Sequence, residues 1–98
     1  MIFDYAQDCW VANCAPGADL DYGFDWVDWL ETGETVTSSL WSAPPSVTLA
    51  RAQLLGDVRT STFAKIDRAG YTGKITNTIT TSDGRTDSRS ILLVCRQR

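Results

Sequence analysis

Between Leu20 and Trp26 the chain alternates strictly, with Leu20, Tyr22, Phe24 and Trp26 separated by Asp21, Gly23 and Asp25. A two-residue period belongs to a β-strand with one buried face, because successive side chains point to opposite sides of a sheet. Four large apolar side chains in one row are enough to anchor a core. The opposite row, with Asp19 just before it, carries carboxylates that do not enter a core unpaired. The stretch therefore predicts a half-buried strand, and the rest of the chain has to supply the other side of a β-domain.

Composition agrees with that demand. The 98 residues make one domain, close to the size at which a single core still suffices. Thr and Ser are abundant while charged residues reach only 21%, a balance that suits strands better than helices. No apolar run is long enough to cross a bilayer as a helix. The first residues, MIFDYAQDCW, carry no basic segment ahead of an apolar one. They are therefore not expected to be a secretory signal, and a chain made and kept in a cytoplasm is the expectation.

The net charge of −3 conceals a lopsided distribution, since eight of the twelve acids and none of the nine bases precede Arg51. Two arrangements produce such a split. Acidic and basic strands can pair across a sheet within one molecule, or an acidic surface can meet a basic one on the next copy. Nucleic acid is disfavoured as a partner, because the basic half is mixed with acids and lacks interleaved aromatics. Cys9, Cys14 and Cys95 are three in number and no His is present, so a four-ligand zinc site is not expected. Free thiols are the expectation, with a Cys9–Cys14 bridge as the alternative after release from a cell.

Read in order, residues 1–17 predict an irregular arm, closed by the Ala15-Pro16-Gly17 turn. Asp28 to Gly33 predicts one helical turn capped by Asp28 and ended by Gly33. Strands are expected over 34–42, 46–52 and 58–66, with Leu54-Leu55 as a possible short helical piece. A β-branched strand from Tyr71 to Thr80 leads into Ser82-Asp83-Gly84-Arg85, a hairpin signal, and a return strand from Thr86 to Cys95. Ile91 to Val94 is apolar at every position, which predicts cover on both faces. The pattern predicts an all-β fold: an immunoglobulin-like antiparallel β-sandwich over 18–98 with an irregular N-terminal arm over 1–17. A small barrel is the alternative.

Catalytic chemistry finds no foothold. Without His, the Ser-His-Asp and Cys-His systems are absent, and no glycine-rich phosphate loop occurs. Asp21 and Asp25 share a strand face but lie about 13 Å apart at roughly 3.3 Å per residue, too far for a pair of glycosidase acids. The acids are also spread along a strand rather than gathered on a calcium-binding loop. No cofactor and no metal are expected.

Two stretches resemble a phage family. Ala18 to Leu49 contains D-Y-x-F-D-W-x-D-W-L (Asp21 to Leu30) followed by G-E-T (Gly33 to Thr35). Gly70 to the C-terminus contains a Tyr-led strand (Tyr71 to Ile79), a turn, and G-R-T-D-x-R-S-I (Gly84 to Ile91). Together they resemble the small immunoglobulin-like virion proteins of tailed bacteriophages described as phage fibre-tail adaptor proteins. Cys9, Trp10 and Cys14, and the piece from Ala52 to Leu55, depart from that pattern. The resemblance implies a non-enzymatic structural protein of a tailed-phage virion, assembled in the host bacterial cytoplasm. Its partners would be other virion proteins (tail, fibre or major capsid protein) and further copies of itself, with no nucleic acid and no membrane. Phe3, Tyr5 and Trp10 are the expected arm contacts; Asp25, Asp28, Arg85 and Arg89 are the expected inter-subunit charges. Two other readings remain: a head decoration or cement protein, and a carbohydrate-binding module stacking sugars on Trp10, Trp29 or Trp41.

Overall fold

In the computed structural model, which describes residues 2–4 and 9–96, eight strands form two sheets. They are β1 (Ile2–Asp4), β2 (Cys9–Cys14), β3 (Leu20–Asp25), β4 (Val36–Ser42), β5 (Thr48–Leu55), β6 (Arg59–Lys65), β7 (Thr72–Thr81) and β8 (Thr86–Cys95). One sheet has the order β1-β2-β8-β7-β4 and the other β3-β6-β5. The described residues form no helix. The all-β, two-sheet sandwich expected from the alternation is the architecture found.

Two features of that expectation are corrected. Residues 9–14 are not an irregular arm but a strand, and it pairs in parallel with β8, from Trp10↔Ile91 to Cys14↔Cys95. The larger sheet is therefore mixed rather than purely antiparallel. The physical reason lies in β8. The β7–β8 hairpin satisfies only one of its edges, and the other row of backbone groups needs a partner. The inward row of β2 is Trp10, Ala12 and Cys14, and two small side chains do not read as a core face in a sequence. Phe3 lies in β1 with Trp10 as its backbone partner; its side chain, and Tyr5 altogether, fall outside the described residues.

Along β3 burial deepens in one direction. Leu20 is 47% exposed, Phe24 8% and Trp26 fully buried. Trp26 lies at the centre of the core, and burying an indole there contributes on the order of 3 kcal/mol or more. Its Nε1–H donates to Asn77 Oδ1 (3.2 Å) and Thr60 Oγ1 (3.4 Å). Thr60 Oγ1 also donates to Asn77 Oδ1 (2.6 Å). Because an indole can only donate, the amide oxygen of Asn77 must face it. Asn77 Nδ2 then donates to Ser39 Oγ (2.9 Å) and the Leu40 carbonyl (3.2 Å), so this buried polar group is fully satisfied.

Other expectations shift by a few residues. Leu54 and Leu55 continue β5 instead of forming a helical piece, because a bulge at Arg51 (φ 54°) resets the register between Ala50↔Phe63 and Gln53↔Ser61. Ile91 and Leu93 are buried but Leu92 and Val94 only half-buried, so β8 is covered on one face rather than two. Cys9, Cys14 and Cys95 are free and buried, and Cys14 faces Cys95 across the parallel pair, not Cys9. Burial, and then the neighbouring Cys95, push the Cys14 thiol above its ordinary pKa.

Candidate functional site

The strand directions place three turns at one end of the sandwich: 26–35, 56–58 and 82–85. Val36 N donates to the Asp57 carbonyl (2.7 Å) and Ser82 N to the Thr35 carbonyl (2.8 Å), which ties the three together. The first turn begins earlier than the sequence predicts. Leu30 N and Trp29 N both donate to the Trp26 carbonyl, and Asp25 Oδ1 accepts from Val27 N (3.0 Å). Asp25, not Asp28, therefore caps this single helical turn. Gly33 closes the segment at φ 80°, a backbone conformation that favours glycine.

Glu34 then enters the interior, where its side chain is fully covered while Arg85 stays 38% exposed. Both carboxylate oxygens are used twice. Oε2 accepts from Thr81 Oγ1 (2.5 Å) and Arg85 Nε (2.9 Å); Oε1 accepts from Arg85 Nη2 and from Glu31 N (2.9 Å). This is a two-pronged guanidinium–carboxylate pair, the strongest kind of side-chain ion pair. Hydrogen bonding from Arg85 holds the Glu34 carboxyl down at about 2, against the opposing effect of burial and with help from Thr81 and the Glu31 amide. The same partner raises the pKa of Arg85. Arg85 Nη2 also donates to the Trp29 carbonyl (3.3 Å), and its guanidinium lies 4.1 Å above the Trp29 ring. Trp29 meets Trp26 edge to face at 5.5 Å, and Arg89, further on in β8, lies 4.1 Å above Trp26.

Of the residues expected to make contacts between subunits, Asp25, Asp28, Arg85 and Arg89 thus gather at this end. Three have partners within the chain: Arg85 and Arg89 as above, and Asp25, which also sits 3.4 Å from Arg59. Asp28 is exposed. Trp10 is elsewhere, half-buried on β2 against the core. The pairs Asp19–Arg51 (2.8 Å) and Asp25–Arg59, both within the β3-β6-β5 sheet, satisfy part of the charge split inside the molecule. Trp29 and Trp41, considered as sugar platforms, each have a ring face engaged, Trp29 by Arg85 and Trp41 by Phe24, stacked at 6.0 Å.

Glu34 and Thr81 are the residues that sequence reasoning missed. Glu34 reads as the polar start of a strand, and only its place in G-E-T, matched by Arg85 in G-R-T-D, hints at a partner. Beyond this end, a groove of about 500 Å³ opens between β2 and β3, lined by Val11, Ala12, Leu20, Asp21 and Tyr22. No group of three or more metal-binding side chains comes together among the described residues. At this end of the sandwich an ion pair on a buried carboxylate and two cations stacked on indoles hold loops whose outer carboxylates face solvent.

Comparison with known families finds a match. A family model described as Podophage GP4 fiber-tail adaptor protein gp77 matches residues 15–94. The matched span includes every member of the cluster and begins just after β2. Comparison with curated proteins finds no match.

Proposed function

The chain belongs to the podophage fiber-tail adaptor family, and from that premise we propose that it is a non-enzymatic structural component of the virion, bridging other virion proteins. It is present in several copies and joins the particle as the host cell assembles it. The observation that carries this reading is the convergence at one end of the sandwich. The two stretches that define the family resemblance, Ala18 to Leu49 and Gly70 onward, meet there through Glu34 and Arg85. An adaptor has to transmit load between partners without deforming, and a two-pronged ion pair on a buried carboxylate, backed by edge-to-face aromatics, serves that need. Asp28 and its neighbouring carboxylates are the contact groups, while Asp25, Arg85 and Arg89 position them. Phe3, Tyr5 and Trp10 make a second contact with a neighbouring protein.

The test is the chain's place in the particle. Particles assembled without it should lack fibres while keeping filled heads, and a tagged copy should label the fibre–tail junction. Label on the head shell, or leaking heads with fibres in place, would instead establish a decoration protein.

A further inference from the structure

The topology turns the charge split of the sequence into a difference between the two ends of the sandwich. At the end just described, Asp28, Glu31, Asp57 and Asp83 are exposed on three separate turns. The cations nearest to them, Arg59 and Arg85, are already engaged by Asp25 and Glu34. At the other end, where β6 and β8 finish and β7 begins, Arg68, Lys74 and Arg96 are exposed and make no ion pair among the described residues. Asp67, adjacent in sequence to Arg68, lies 4.0 Å from Lys65.

A second observation, independent of charge, marks the same two ends. Five large apolar side chains are exposed among the described residues: Leu20, Val27, Leu40, Leu55 and Tyr71. Val27 and Leu55 lie at the acidic end, Leu20 and Tyr71 at the basic end, and only Leu40 sits on a sheet face. Exposed apolar groups rimmed by charge are the makeup of a protein interface. The ten residues of β7 separate the ends by about 33 Å, several times the screening length of about 8 Å at physiological salt. The two ends therefore cannot neutralise each other within one molecule.

We infer that the acidic end of one copy docks on the basic end of the next, with Asp28 and Asp83 facing Arg68 and Lys74, and Val27 and Leu55 covering Tyr71. The contact joins two different surfaces, so it propagates into a ring or a short stack rather than closing as a two-fold dimer. This inference rests on the reading of the acidic end as a contact surface and names its occupant.

Sedimentation of the purified full chain tests it. Association should be present at roughly 50 mM NaCl and weaken by about tenfold or more at roughly 500 mM. Asp28→Lys/Asp83→Lys alone and Arg68→Glu/Lys74→Glu alone should each be monomeric, because each has ends of like sign. Mixed together they should associate again in alternating order, since every contact then joins a basic end to an acidic one. If circular dichroism shows either reversed chain unfolded, the Asp28→Asn/Asp83→Asn and Arg68→Gln/Lys74→Gln chains replace them, each expected to lose association. A wild-type chain that stays monomeric at low salt, or variants that associate as well as wild type, would overturn the inference. A monomeric wild type whose acidic-end variant still fails to join particles would refute the self-contact alone. Normal incorporation of that variant would refute the contact reading beneath it.

Discussion

Gly23 interrupts the row of acids on β3 for a reason found on the neighbouring strand. A Cβ at this position would lie 2.2 Å from the Thr60 carbonyl oxygen, a backbone atom that cannot swing aside. Gly23→Ala must push β3 and β6 apart, and it is expected to cost about 2–3 kcal/mol in urea unfolding; an unchanged midpoint would show that the strands separate freely. Glu34 makes a prediction in pH. Its carboxyl is held at about 2 in the folded chain against an ordinary value of 4.5. Below the ordinary value the unfolded chain takes up a proton that the native chain refuses. The ion pair's contribution is therefore complete above about pH 4.5 and lost progressively as pH falls towards about 2. Glu34→Gln should lower stability at neutral pH and flatten the loss across that window relative to wild type. An unchanged pH profile in that variant would remove Glu34 as its source. The sequence exposed the apolar alternation that ends at Trp26, but not the fate of Glu34. A lone carboxylate after a glycine looks solvated, and its partner lies 51 positions away.

Among the elements, the β7–β8 hairpin was the most legible, because Asp83-Gly84 is a local turn signal and Gly84 takes the positive φ of 81° that it implies. β2 was the least legible. It has no local pairing partner, its inward side chains are small, and it is held by a parallel ladder to the far end of the chain. Pairing of that kind is decided by what β8 lacks, which no window of sequence around β2 contains. If β2 is part of the sheet, removing residues 1–15 should cost at least about 3 kcal/mol, through lost cover over Ile91 and Leu93. It should also leave an aggregation-prone edge on β8. A shortened chain as stable as the full one, and monomeric, would return this segment to the role of a detachable arm. The contact role of Asp25, Arg85 and Arg89 was expected from charge alone. What the fold adds is that each has a structural duty inside the chain, whereas Asp28 and its neighbours on the turns stay exposed.

At the level of the whole molecule, charge separation by ends could not be read from the sequence. The sequence separates acids from bases by halves of the chain, and only the strand directions convert halves into ends. The first half also contributes Asp19 and Asp25 to ion pairs within the smaller sheet, whereas Asp57 and Asp83 from the second half join the acidic turns. The fold thus sorts the charges a second time. A rigid sandwich whose pinned end carries exposed carboxylates fits a piece that joins others, with no site for chemistry required of it. The measurement that bears on this most directly is the occupancy, by mass spectrometry, of Asp28→Lys/Asp83→Lys in particles assembled with that chain as the sole copy. The variant must first be shown to melt within a few degrees of wild type. A folded variant that is absent from particles, or present at less than about a tenth of wild-type occupancy, is the predicted result. Occupancy equal to wild type would contradict the account, because the end that the two family stretches combine to build would then not be the surface that joins the chain to the virion.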